Sequence, residues 1–362
     1  MITSPTLVLD SAKARRNIQK MKLKADKLNL ELRPHFKTHQ SHEIGAWFRE
    51  KGVKGITVSS ITMAEYFVSD GWDNITIAFP VNVLEAKRLD VLASKIDVRV
   101  LATDEQVLKK LNEHISNEIG IYIELDPGYN RSGIPILDFR TLKELKAVIQ
   151  LSKNLRFEGF YTHAGHSYKC RSKKEIEELI SPILNDLTSL KQEFDDPICF
   201  GDTPSCSVLE DFGVIDQASP GNFVFFDWTQ FKIGSCGFED IAVAMYCPVV
   251  AKYPERNELL IHGGAVHFSK DSFTDESGVP YFGVIAEKAD NGWGNIVPGV
   301  RLKSVSQEHG IIQCTSSYFN HVNIGDVIPI IPIHSCLTAD LMGDYLTTKG
   351  ENIVHLSAKK IS

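Results

Sequence analysis

Between residues 28 and 226 the hydrophobic positions alternate between two periods. Short runs with apolar residues at every second position, or apolar throughout, read as strands at Leu32–Lys37, Gly55–Ser60, Asn74–Pro80, Asp97–Thr103, Gly120–Asp126, Phe157–His163, Ile198–Thr203 and Ala218–Phe226. Segments with helical spacing lie between most of them, among them Thr62–Asp70, Leu84–Leu92, Asp104–Asn112, Thr141–Ser152 and Lys173–Phe194. A basic amphipathic helix, Ser11–Asn29, precedes them and follows a short apolar run at Thr6–Asp10. Eight strands with intervening helices predict an α/β fold built on a parallel (β/α)8 barrel. An open doubly wound sheet is the alternative, but no GxGxxG follows the first strand.

After about Gly237 the pattern changes. Ala242–Val250, Leu259–Val266, Gly283–Ile285, Gly310–Cys314 and Val327–Ile333 read as strands separated by turns, with a polar loop at Ser269–Val279. The expected organisation is therefore a barrel over 11–237 and a β-rich C-terminal domain over 238–362, which residues 1–10 join.

The chain has 362 residues, 43% of them hydrophobic and 23% charged, enough for a substantial core. A net charge of -7 without a basic stripe argues against a nucleic-acid partner. No apolar run is long enough to cross a bilayer, and Met1–Asp10 lacks the pattern of a secretory signal. Seven cysteines, odd in number and without a CxxC pair, fit a reducing cytoplasm.

Barrel enzymes carry their chemistry at the C-terminal ends of the strands. There the first strand presents Arg33-Pro34-His35-Phe36-Lys37-Thr38-His39. A lysine among other cations, half out of water, has a lowered pKa and can form a Schiff base. The fifth strand ends in Glu124-Leu-Asp126-Pro-Gly128-Tyr-Asn-Arg131-Ser-Gly133, where Arg131 offers a cationic fork or merely a surface ion pair. The sixth ends in Tyr161-Thr-His163-Ala-Gly-His166-Ser-Tyr168, a dense polar cluster. Gly201-Asp202-Thr203-Pro204 and Ser219-Pro-Gly221-Asn222 follow the seventh and eighth strands, the usual place of a phosphate cradle in this fold. Lysine, phosphate cradle and arginine together suggest pyridoxal phosphate.

The run Ile328–Ile333 leads into His334-Ser335-Cys336. On a strand, positions two apart share a face, so imidazole and thiolate would form a zinc-type pair with open positions for substrate. His262, His267 and His309 are further candidate ligands without a spacing rule to choose among them.

These stretches, in this order, resemble the D-serine dehydratase and D-threonine aldolase branch of the alanine racemase-like, fold-type III pyridoxal-phosphate enzymes. The resemblance spans PHFKTH, DPGYNRSG, YTHAGHSY, GDTP, SPGNFVFFD and HSCLTADLM. It implies that Lys37 is the catalytic, Schiff-base lysine. Thr203, Gly221 and Asn222 would hold the phosphate, with Gly201 and Asp202 beside them. Arg131, Tyr161, His163 and Tyr168 would surround the ring, and His334 and Cys336 would bind Zn2+. It also implies a homodimer acting on a small D-amino acid with a β-hydroxyl. D-threonine aldolases tend to carry His-x-Asp where this chain has His334-x-Cys336, so the thiolate points to the dehydratase side: D-serine dehydratase first, with D-threo-3-hydroxyaspartate dehydratase and aldolase as alternatives. A racemase would need a second base, and a pyridoxal-phosphate carrier protein would need neither the metal pair nor the second domain. Asp202 departs from the Gly-Ser/Thr-Thr-Pro run of many relatives, and a carboxylate beside a phosphate is unfavourable unless it points away.

Overall fold

The computed structural model describes residues 2–356. Eight parallel strands follow one another around the first half: Glu31–Leu32, Ile56–Val58, Asn74–Pro80, Asp97–Ala102, Ile119–Asp126, Leu155–Thr162, Ile198–Phe200 and Gln217–Ala218. Gln217 pairs with Glu31, and a parallel bridge from His35 to Thr57 closes the ring between the first strand's extension and the second strand. The strand order and parallel sense expected from the hydrophobic pattern are thus observed. Apolar residues fill the barrel strands, as in Ile119, Ile121, Ile123 and Leu125, all essentially inaccessible to water.

Several strands end earlier than their apolar runs suggest. The first stops at Leu32, and Phe36–Thr38 turns into a single 3-10 turn that carries Lys37. Here the His35 side chain takes the Lys37 N–H at 3.4 Å, so that N–H is lost to any strand ladder. The seventh stops at Phe200 because Asp202 caps the helix Thr203–Val208, accepting from the Ser205 N–H at 2.7 Å. The eighth is only Gln217–Ala218, followed by the turn Asn222–Val224.

The second half is a nine-stranded sheet. In spatial order it runs Glu258–His262, His309–Gln313, Gly292–Val305, Gly283–Ala289, Val327–Pro332, Val243–Tyr253, Thr6–Leu9, Tyr345–Thr347 and Asn352–Ile353. Thr6–Leu9 is an antiparallel partner of Val243–Tyr253, with Leu9 opposite Val243. Glu258–His262 pairs on its other side with Val243–Tyr253, so six of these strands curl into a closed unit. One strand was not expected, and two expectations need correction. The 14-residue strand Gly292–Val305 has no clean alternation in sequence, since two register shifts against its neighbour and Pro298 break the period. The run from Leu259 leaves the sheet at His262 and forms the short helix Ala265–Phe268. The strand from Val327 ends at Pro332, and Ser335–Met342 is a helix. No helix among the described residues is long and apolar enough to cross a membrane.

Candidate active site

Lys37 points into a cavity of about 750 Å3 at the C-terminal mouth of the barrel. Its side chain is reachable by solvent yet walled by protein, and burial lowers its pKa; Cys336 opposes the shift and Arg131 adds to it. His35, buried behind it, is pushed well below the usual imidazole range by burial and then by Lys37, so it stays neutral.

The turn after Lys37 meets the second sheet's chemistry directly. Thr38 Oγ1 lies 3.2 Å from Cys336 Sγ, and Asn222 Nδ2 donates to the same sulfur at 3.4 Å. His334 and Cys336 converge, although not on a strand. His334 is the extended residue before the helix Ser335–Met342 and Cys336 stands in its first turn. Asp227 fixes this helix start by accepting from the Ser335 N–H at 3.0 Å and from Asn222 Nδ2 at 2.6 Å. Burial opposes charge on both groups. Asp271 and Cys336 nevertheless hold the His334 imidazole well above its usual range, and contact with His334 holds the Cys336 thiol below its own.

The opposite wall comes from the sixth to eighth strands. His163 donates through Nδ1 to the Gly201 carbonyl and has its pKa lowered to about 3, by burial and then by Lys37. Burial raises the phenols of Tyr161 and Tyr168. Tyr161 OH is 3.4 Å from Ser219 Oγ, which in turn donates to Thr57 Oγ1 at 2.9 Å. Thr203 Oγ1 and Asn222 Oδ1 are buried without a hydrogen-bond partner. A Cβ on Gly221 would lie 2.8 Å from the His35 carbonyl, and one on Gly201 would lie 2.9 Å from the Ser219 carbonyl. Both positions therefore admit glycine alone without rearrangement. Asp202 is buried, capping its helix and accepting from Ser167 Oγ at 3.0 Å, and burial pushes its carboxyl up to about 6.

Arg131 sits on the rim, half-exposed, 3.8 Å from Glu124 Oε1. It lines a side cavity of about 350 Å3 that shares His35, Lys37, Tyr161 and His163 with the main one. Lys37, Tyr161, His163, Tyr168, Asp202, Gly221, Asn222, His334 and Cys336 thus line one cavity, with Arg131 beside it; Gly201 and Thr203 are the chain neighbours of Asp202 and are not among the lining residues.

Three expected ligands are elsewhere. His262 and His267 gather around Glu308, at 3.6 and 3.7 Å, and His309 is exposed on the strand facing His262. The Gly264 N–H donates to His267 Nδ1, so neutral His267 carries its proton on Nε2, facing Glu308. The three side chains form a separate cluster, with their ligand atoms within 4.8 Å of one another. Three residues of the cavity were not expected. Asp271, in the polar loop, lies 2.8 Å from His334 Nδ1, and Gln40 donates to Asp340 Oδ1 at 2.8 Å. Neither pairing has a local sequence signal, since 63 and 300 residues separate the partners.

The serine dehydratase domain model matches residues 242–348, and the alanine racemase N-terminal domain model matches residues 9–225. A D-serine dehydratase of Dictyostelium discoideum is 32% identical over 393 residues, covering 99% of this chain and 96% of that protein. The chain belongs to the D-serine dehydratase family of alanine racemase-like proteins. Within this family, a D-threo-3-hydroxyaspartate dehydratase of Delftia sp. (strain HT23) is 25% identical over 361 residues, covering 93% of this chain and 92% of its own. Among solved structures, an Ala racemase-like protein from Idiomarina loihiensis is 26% identical with a TM-score of 0.88, covering 98% of this chain and 97% of its own. The two matched segments correspond to the parallel barrel and to the antiparallel sheet, so the family architecture accounts for both halves of the cavity wall.

Proposed function

We propose that the protein is a pyridoxal-phosphate- and zinc-dependent D-serine dehydratase, converting D-serine to pyruvate and ammonia. The observation that carries the reading is the 3.2 Å contact between Thr38 and Cys336, which sets the lysine turn against a thiolate–imidazole pair in one cavity.

The residues fit both groups. The buried, unpartnered Thr203 hydroxyl can donate to a phosphate, which Gly221 and Asn222 in the cavity lining would flank, and Lys37 suits the cofactor's aldehyde. His334 and Cys336, one nitrogen and one sulfur with adjoining space, suit zinc better than the harder manganese or magnesium. When bound, the cofactor supplies an electron sink for negative charge at Cα, and zinc a Lewis acid for the β-hydroxyl.

The chain's own groups do the rest. Lys37, its pKa lowered by burial, takes the Cα proton from the face it occupies. A single base on one face gives selection for one enantiomer, here the D form. His163, neutral and locked to the Gly201 carbonyl, adds no charge to the cavity. Asp271 holds the His334 Nδ1–H, which leaves Nε2 for the metal. Arg131 and Tyr161 flank the ring position, and Tyr168 and Asp202 close the phosphate end. The reading takes the protein as a cytoplasmic homodimer, on its seven free cysteines and on the family resemblance.

The test is keto-acid and ammonia release from D-serine, L-serine and D-threonine by the purified protein loaded with cofactor and zinc. Turnover of D-serine alone of the two serines, lost on chelation and restored by zinc, is expected. Glycine and acetaldehyde from D-threonine, without keto acid from D-serine, would replace this reading by an aldolase.

A further inference from the structure

We propose that Asp340 is a specificity-determining residue that rejects substrates bearing a carboxylate on the β-carbon, restricting the site to β-hydroxy D-amino acids with hydrogen or a small uncharged group there. The inference rests on the function proposed above.

Asp340 follows Cys336 by four positions on the helix Ser335–Met342, so both side chains lie on one helical face. Both line the Lys37 cavity. The carboxylate is held in place from the other side of the cavity. Gln40 adopts φ +41°, a left-handed conformation that a residue with a Cβ keeps only when its surroundings impose it. From there its amide donates to the Lys37 carbonyl at 3.2 Å and to Asp340 Oδ1 at 2.8 Å. The bridge ties the lysine turn to the helix that carries Cys336 and aims Asp340 at the space between them. A substrate anchored near Lys37, with its β-hydroxyl toward His334 and Cys336, presents its β-substituent to this wall.

The charges decide which substituent fits. Lys37 is the sole lysine or arginine lining this cavity among the described residues, and the proposed chemistry occupies it. Arg131 lies in the side cavity, facing Glu124. The two positive charges of zinc would be offset by the Cys336 thiolate and by Asp271 behind His334. Asp202 and Asp227 also line the cavity, but each accepts hydrogen bonds at a helix start, from Ser205 and Ser335; Asp340 then remains a negative charge with no lysine or arginine beside it, while Ser272 and Leu337 of the same lining are neutral. A β-carboxylate meets repulsion and no cation, whereas hydrogen or methyl meets neither, which is discrimination by exclusion.

The experiment compares D-serine with D-threo-3-hydroxyaspartate on the holoenzyme, by kcat/KM and by titrating the absorbance of the lysine-bound cofactor to obtain Kd. The wild type is expected to favour D-serine. Asp340→Asn, which keeps an acceptor for Gln40, should raise the diacid's relative kcat/KM and binding by about tenfold, the order expected for removing one like charge from a partly solvated site. The wild-type preference should also narrow as salt rises, and the Asn variant should be insensitive to it. Asp340→Ser provides the same comparison if the Asn variant folds poorly. Equal use of both substrates by the wild type, or an unchanged preference in the variants, overturns the inference. If D-serine is not turned over at all, the dehydratase reading fails, and the two Kd values still decide the role of Asp340.

Discussion

Asp271 Oδ2 accepts a hydrogen bond from His334 Nδ1 at 2.8 Å, joining a residue of the polar loop to one that precedes the last well-formed helix. The bond assigns the proton to Nδ1 and turns Nε2 toward Cys336. Carboxylates behind metal-binding histidines set both ring orientation and ligand basicity.

Asp271→Ala should therefore weaken zinc binding by about 10–100-fold, read by competition with a chromophoric chelator. Asp271→Asn, which retains an acceptor oxygen, should lose less. Wild-type affinity in the alanine variant would remove Asp271 from the metal's support.

Lys37→Arg keeps the positive charge but cannot form the Schiff base. The variant should lack the absorbance of the lysine-bound cofactor and lose at least about 10³-fold in activity, the scale of removing both nucleophile and base. Retained absorbance would move the attachment point to another lysine.

Gly221→Ala would place a Cβ 2.8 Å from the His35 carbonyl and 3.1 Å from Thr38 Oγ1, displacing the lysine turn. Cofactor affinity should fall by about tenfold or more, in line with the cost of overpacking a tight site, as measured by equilibrium dialysis. Unchanged affinity would show that the turn yields freely.

Burial raises the Asp202 carboxyl to about 6, above its unfolded value of 3.8. Between those two values the folded protein holds a proton that the unfolded chain has released, so this group's contribution to stability falls as pH rises through that window. Asp202→Asn preserves the helix cap and removes the titration. The variant should gain on the wild type between pH 4 and pH 7, by an amount on the order of 2–3 kcal/mol, in urea unfolding of the cofactor-free protein. Parallel pH profiles for the two proteins would rule this out.

The strand order of the barrel was legible because a parallel sheet covered on both sides writes itself as short apolar runs, as in Ile119–Asp126. Lys37, the Gly201 and Gly221 turns and the His334-x-Cys336 pair were legible because their chemistry is carried by adjacent residues. Strand ends were not, since side chains decide them: His35 takes the Lys37 N–H, and Asp202 takes that of Ser205. The strand Gly292–Val305 was hidden by bulges that cancel its two-residue period.

By itself the sequence determined the two-part architecture, the family and most of the polar residues around the cavity, because periodicity and local motifs depend on neighbours along the chain. Only the tertiary structure decided that Asp271 supports His334, that Gln40 braces Asp340, and that His262 and His267 belong with Glu308 rather than with Cys336. Each of these depends on where distant segments meet once both sheets have closed, and no spacing between residues encodes that.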